Sequence, residues 1–430
     1  MRRDPTARTI VGMSLHLDPG ETDMLAGAAG PAVAMALRIV AETARMLGAR
    51  SLVRIHSAHI DGCLYHGDSG TLFAERLVAD GARVTVPTTL NVGALDLIHA
   101  GRVRLGSRGS AMARRMMEAY AALGCRQSWT CAPYQAGHRP GLGQDVAWGE
   151  SNAIVFCNSV LGARTDRYGD FLDICAAITS RAPRHGLHLP ENRQARLLID
   201  ASGLPPALLA EDALYPVLGA WLGRHVGSAV AAIEGLPHGL SEDRLKALGA
   251  AAASTGAVGL FHVVGVTPEA PDRGTAFGGR EPQEIIRLDP SMLDTERRAL
   301  STGSGGRIDA VAIGSPHLSV AEFETLARCL AGRRVTLPFY ACTGRHTLEA
   351  MKAGGLLETI EAAGITLVAD TCIVVTPILP PGGGLLMTNS GKFAHYTPAM
   401  TGWDVLYGGL GDCVESAVAG RIVRDESLWR

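Results

Sequence analysis

Aromatic side chains are scarce, at 5% of 430 residues, and the formal net charge is only −2. Without stacking platforms or a basic field, the chain has no natural pull toward nucleic acid or anionic lipid. It lacks an uninterrupted apolar run of about 18 residues, the length a membrane-spanning helix needs. Its most apolar stretch, Leu248 to Val266, contains Ser254, Thr255 and His262, and reads as a buried helix end followed by a strand. Met1-Arg2-Arg3-Asp4-Pro5 leads into polar sequence, so no secretory leader is expected and the cytoplasm is the expected compartment. Cysteine is present nine times, an odd number, and never as CxxC. That argues against a disulfide framework and for mostly buried thiols, a minority of which could bind metal. GxSxG is absent, which weighs against hydrolysis although Ser57, His59 and Asp61 are close in sequence. GxxxxGK[ST] is absent as well, so the Gly391-Lys392 pair is not a P-loop.

What is present suffices for a folded protein of two or three domains: 47% hydrophobic and 19% charged residues, with 52 glycines suited to tight turns. Helix and strand signals alternate. Strands are expected at Leu52–Ile55, Val84–Pro87, Val258–Val266, Asp309–Gly314, Val335–Tyr340 and Ile365–Asp370. Helices are expected after Asp18, at Leu72–Ala79, Ala321–Leu330 and His346–Gly354. This alternation points to α/β architecture with parallel sheets. The expected divisions are a main region 1–284, a smaller α/β domain 285–385, and a segment 386–430 returning to the site. Ser315-Pro316-His317, Cys342-Thr343-Gly344 and Asp370-Thr371-Cys372 follow strand signals, on the edge where α/β sheets bind ligands.

Polar chemistry is densest between residues 130 and 167. Thr130-Cys131, Trp148-Gly149-Glu150-Ser151 and Asn158-Ser159 to Arg164 and Arg167 lie among small apolar residues. Burying such groups without partners costs roughly 1–3 kcal/mol each, so they are expected to line a site. Arg164 and Arg167 suit bidentate carboxylate binding, or ion pairs with Asp166 or Asp170. Cys131 and Cys372, each preceded by Thr, are either metal ligands or structural thiols. Asn389-Ser390-Gly391-Lys392 suits an anion, or is a plain surface turn. His59 polarises a substrate oxygen or caps its strand. His262 reads as a core histidine.

Taken in order, Ser57-Ala58-His59, Pro87-Thr88-Thr89-Leu90-Asn91, Thr130-Cys131-Ala132-Pro133-Tyr134, Trp148-Gly149-Glu150-Ser151, Asn158 to Thr165, Thr267-Pro268-Glu269-Ala270, Pro316-His317-Leu318-Ser319, Asp370-Thr371-Cys372 and Thr388 to Lys392 resemble the large, catalytic subunit of the aconitase X family. The resemblance implies an aconitase-like, multi-domain α/β fold with parallel and mixed sheets flanked by helices. It also implies an iron-dependent hydro-lyase. Cys131, Ser315 and Cys372 stand at the implied ligand positions, with Cys342 as a neighbouring alternative. Archaeal-type relatives carry Cys where this chain has Ser315. The harder oxygen suits a mononuclear iron or, preferentially, a 2Fe–2S cluster better than a cubane. His59, Glu150, Ser390 and Lys392 are the implied catalytic group. Ser57, Asn158, Ser159, Arg164 and Asn389 are the implied substrate contacts. The resemblance further implies a separate small swivelling-domain subunit bringing a serine base. The implied reaction is dehydration of cis-3-hydroxy-L-proline. The alternatives are mevalonate 5-phosphate as substrate, or a non-catalytic member without its cluster.

Overall fold

Fourteen strands form four sheets among the described residues of a computed structural model, which are 14–303 and 305–429. The Met1–Pro5 segment read above lies outside them. The first region contains β1 (Leu52–Arg54), β2 (Ala58–Ile60), β3 (Thr88–Leu90), β4 (Ala147–Trp148) and β5 (Arg181–Pro183). The second contains β6 (Leu197–Asp200), β7 (Ala231–Glu234), β8 (Phe261–Val263) and β9 (Glu284–Arg287). The third contains β10 (Ala310–Leu318), β11 (Phe339–Thr343), β12 (Thr366–Ala369), β13 (Leu385–Thr388) and β14 (Asp404–Tyr407). The sheet orders are β1-β5, β3-β2-β4, β8-β7-β6-β9 and β12-β11-β10-β13-β14. Among the described residues only β1 with β5 is antiparallel; every other pairing there is parallel. Helices join and flank the strands, so the fold is α/β as expected.

The sheets group the chain differently from the expected divisions. The 284/285 boundary cuts through β9, and the 386–430 segment supplies most of β13 and all of β14 to the sheet that begins at β10. Val84–Pro87 is not a strand; the pairing starts one residue later, at Thr88. Val335–Tyr340 overlaps β11 only at its end. Apolar β-branched residues raised strand propensity in both segments, but the ladder partners lie further along the chain.

Capping explains several helix starts. Asp18 accepts the Glu21 N–H at 2.7 Å while its own N–H donates to the Glu21 carboxylate at 2.9 Å. Glu21 is buried and receives Arg181 of β5 at 2.7 Å, which ties this helix to the first region. Helices Leu214–Val226 and Glu242–Thr255 pack together beneath the second sheet and supply much of one core cluster.

One irregularity shapes the site. The register of β10 on β11 shifts between Ile313 and Leu318, and Ser315–Pro316 is a cis bond. At Gly314, φ is 97° and a Cβ would stand 2.2 Å from the Cys342 carbonyl oxygen, so only glycine permits this approach. The bulge re-aims Ser315 and His317. Segments expected to be loops past strand ends, 315–318 and 342–343, are therefore still strand.

Candidate active site

Two thiols meet around one histidine. Trp129 and Asp370, each two residues before a cysteine, adopt left-handed backbone with φ of 43° and 61°. Such conformations are disfavoured for these residues and persist only where the surroundings impose them. Thr130 N–H donates to Leu90 O at 3.2 Å, which holds the first turn against β3. Arg345 grips the Asp370 carboxylate at 2.9 and 2.6 Å, which holds the second. Between them, His317 of β10 is fully buried. Its Nδ1 lies 3.0 Å from Thr130 Oγ1, its Nε2 lies 3.1 Å from Thr371 O, and its backbone N–H donates to Cys131 Sγ at 3.3 Å.

A carbonyl oxygen only accepts, so Nε2 carries the proton and Nδ1 accepts from the Thr130 hydroxyl. Burial, reinforced by the charges of His346, Lys246 and Lys392, pushes the His317 pKa down to about 3, against the opposing hydrogen bond to Thr371. The ring is neutral, and the tautomer that links both cysteine turns is enforced.

Burial pushes the Cys131 thiol up to about 12, with Glu150 and Cys372 adding to the shift and Lys392 and the His317 N–H opposing it. Burial also raises Cys372, against backbone N–H groups of Val374 and Val375 and the Lys392 charge. Cys342 is raised by burial and then by Cys372. The three sulfurs are thus within electrostatic reach of one another. Both Cys131 and Cys372 sense Lys392 and Glu150.

Glu150 caps the helix Ser151–Phe156, accepting the Ala153 N–H at 2.6 Å, and its other oxygen receives Ser151 Oγ at 3.1 Å and Lys392 Nζ. Lys392 sits in the first turn of the helix Gly391–Thr401. Burial alone would lower its ammonium pKa, but Glu150 and then Cys131 hold it raised. Nζ reaches Ser151 Oγ at 3.3 Å, so one of its three protons has no acceptor among the described residues.

A carboxyl outside the expected set joins this region. Asp61, Asn91 and Gly149-Glu150 follow the adjacent parallel strands β2, β3 and β4 at their C-terminal ends. Asn91 Nδ2 donates to Asp61 Oδ1, and the Asp61 N–H donates to Asp173 Oδ2 at 2.6 Å. Burial, then Glu150, Asp170 and Asp173, raise the Asp61 pKa to about 7, against the Asn91 hydrogen bond. Gly149 makes this closeness feasible, because a Cβ there would stand 2.7 Å from Asp173 Oδ2 and 2.9 Å from Asp61 Cβ. A His-x-Asp-Gly string ending a strand was the signal that could have marked Asp61.

Other expected residues sit elsewhere or are already committed. Asn158 donates to Thr165 O and Gly259 O, both at 2.9 Å, and its oxygen accepts Thr165 N–H and Arg193 Nη1 at 3.0 Å. Its amide is saturated, and so unsuited to a substrate. Ser159 Oγ accepts the Phe261 N–H at 2.9 Å and pins β8. Ser390 donates to the Ser315 carbonyl and accepts the Phe393 N–H at 3.1 Å, so it positions Ser315 and caps its helix. Ser57 precedes β2, at the opposite end of the sheet from Asp61. Arg164 is half-buried, hydrogen-bonded through its backbone to Gln144, with its Nε unpartnered. Ser315 and Asn389 line a cleft of about 210 Å³ between the second and third regions. His59 is fully buried on β2, its Nδ1 2.9 Å from Thr89 Oγ1. His262 is the core histidine expected, bonded to Arg193 O at 2.7 Å. Among the described residues, no three His, Cys, Asp or Glu side chains stand together as a metal site, and no helix is long and apolar enough to cross a membrane.

Comparison with known proteins is consistent across the chain. The aconitase X first, second and third domain models match residues 14–191, 195–298 and 308–419. A cis-3-hydroxy-L-proline dehydratase of Pseudomonas aeruginosa is 44% identical over 96% of this chain and 72% of that protein. A phosphomevalonate dehydratase large subunit of Methanothermobacter thermautotrophicus is 36% identical over 91% of this chain and 96% of that protein. The crystal structure of Thermococcus kodakaraensis aconitase X in its holo-form superposes with a TM-score of 0.83 at 32% identity, covering 94% of this chain and all of that one.

Proposed function

The chain belongs to the aconitase X family, and from that premise we propose that it is the large subunit of an iron-dependent hydro-lyase converting cis-3-hydroxy-L-proline to 1-pyrroline-2-carboxylate. The observation that carries the reading is the meeting of Cys131 and Cys372 around His317, beside the buried Lys392–Glu150 pair. The choice of substrate rests on the 44% identity to the Pseudomonas aeruginosa dehydratase, against 36% to the phosphomevalonate enzyme. The small-subunit partner rests on relatives named large subunits, matched over 96% and 98% of their lengths.

The family implies an iron group, and the donor chemistry fits one. Two buried thiols converge, backbone N–H groups point at their sulfurs, and a lysine ammonium stands near to favour the thiolate forms. Cys131 and Cys372 would hold the iron, with the Ser315 hydroxyl, two residues along the strand from His317, in the third position. A 2Fe–2S cluster or mononuclear iron suits that set better than a cubane. When bound, the iron supplies Lewis-acid polarisation of the departing hydroxyl.

The protein's own residues supply the rest. The free proton of Lys392 Nζ orients the substrate carboxylate, and Asn389 lines its approach. Glu150 keeps Lys392 in place. His59, neutral because burial pushes its pKa well down, donates to the leaving hydroxyl. The base that takes the carbon-bound proton comes from the small subunit.

The test is turnover. The chain, loaded with iron under anaerobic conditions and combined with its small subunit, is expected to form 1-pyrroline-2-carboxylate from cis-3-hydroxy-L-proline. Equal or faster turnover of mevalonate 5-phosphate would transfer the assignment to that substrate.

A further inference from the structure

Thr89 Oγ1 lies between two imidazoles. It is 2.9 Å from His59 Nδ1 and 2.7 Å from His138 Nδ1. No other partner of this hydroxyl exists among the described residues, and Thr89 is buried. The far nitrogens, His59 Nε2 and His138 Nε2, are both buried without a hydrogen-bond partner. Trp148 packs against both rings, with centroids 5.7 Å from His59 and 5.0 Å from His138. The His138 ring forms part of the wall of a second cavity of about 510 Å³, which also includes Thr88, Thr89 and Arg126.

Proton counting constrains this triad. A hydroxyl has one proton, so it donates to one Nδ1 and accepts an N–H from the other. Burial lowers the pKa of both rings, His138 to about 4, so both are neutral. One ring must therefore be the Nδ1–H tautomer with a bare Nε2, and the other the Nε2–H tautomer.

We infer that His59, Thr89 and His138 form a proton relay between the reaction site and the second cavity, with His138 as a further functional residue. In the ready state Thr89 donates to His59 Nδ1, His59 carries Nε2–H, and His138 carries Nδ1–H with Nε2 bare. His59 gives its Nε2 proton to the departing hydroxyl, which leaves as water. The Thr89 proton moves to His59 Nδ1, the His138 Nδ1 proton moves to Thr89, and a proton from bulk solvent, relayed through water from the cavity, reaches His138 Nε2, so that no hydroxide is left behind. One proton enters, one leaves, and no ring stays charged. A proton later returned to the bare His59 Nε2 runs the chain backwards and restores the ready state. Two orphaned nitrogens joined by a shared hydroxyl serve this transfer, whereas a purely structural triad would bury both at a cost.

The direction of transfer rests on the dehydratase reading; the tautomer coupling does not. Two-bond 1H–15N correlation spectra of histidine-labelled chain are expected to show His59 and His138 as opposite tautomers. Finding both rings in the same tautomer would overturn the relay, whatever the enzyme's substrate. In Thr89→Val the coupling is lost, and kcat with the small subunit is expected to fall roughly 100-fold, the low end for a general-acid step. Thr89→Ser is expected to restore both the opposite tautomers and most of the rate. Wild-type turnover by the Val variant would also overturn the proposal. If the native enzyme gives no pyrroline product, the substrate assignment fails while the spectra still decide the relay.

Discussion

His317 binds both cysteine turns at once: its backbone N–H donates to Cys131 Sγ at 3.3 Å, and its ring donates to the carbonyl of Thr371, the residue before Cys372. Replacing the ring breaks the cross-link and leaves the backbone bond. In His317→Leu, the Thr130 hydroxyl and Thr371 carbonyl lose their shared partner while the thiols remain. Iron affinity is expected to fall about 10- to 100-fold, the usual effect of removing a group that orients ligands. Iron quantification after anaerobic loading and dialysis checks this.

The Lys392–Glu150 pair is buried on both sides, at 12% and 4% side-chain exposure. Removing one partner strands the other charge. Lys392→Met is expected to cost about 3–5 kcal/mol of stability, with the double variant Lys392→Met/Glu150→Gln losing less than the single. Urea unfolding of the three chains makes the comparison. A double variant no better than the single would mean that Glu150 is not stranded.

Asp61 gives the pH dependence a sign. Its folded pKa, about 7, exceeds the ordinary aspartate value of about 3.9. Between those values the unfolded chain has released the proton and the folded chain retains it, so this group's contribution to stability declines as pH rises from about 4 to 7, then levels off. Asp61→Asn keeps the side-chain shape without ionising. Its melting temperature is expected to exceed the wild type's at pH 8, with the gap closing toward pH 4. His317 acts oppositely, since its depressed pKa withdraws stability as pH falls below about 6.5.

Ser315→Cys offers a third soft donor beside Cys131 and Cys372. Thiolate in place of hydroxyl favours a larger iron–sulfur assembly. The variant is expected to bind more iron and sulfide per chain, with stronger visible absorption. A chelator is expected to remove both the absorption and the activity from the native enzyme. Unchanged iron stoichiometry in the variant would place Ser315 outside the metal site.

Much of the architecture was legible because periodicity and turn chemistry are local. The strand at Ile365–Asp370 is present as β12, and Leu248–Val266 is a helix end and a strand. The expected domain divisions did not coincide with the sheets, because β13 and β14 join β10 across the Gly382–Gly384 break. Hydrogen bonding across a long connection leaves no periodic trace. The same reason separates the expected site residues that lie together from those that do not. Glu150, Lys392, Cys131 and Cys372 proved to be neighbours, whereas Asn158 and Ser159 look equally polar in sequence but are consumed by Thr165, Arg193 and Phe261.

From residue order alone came the α/β alternation, the family to which the ordered motifs point, and the Thr-Cys pairs at 130–131 and 371–372. Tertiary structure decided which polar atoms remain free. It committed Ser390 to the Ser315 carbonyl, placed Asp61 beside Glu150, and set Thr89 between His59 and His138. A side chain's type sets how many hydrogen bonds it can make, but only the packed chain determines how many are left for a ligand.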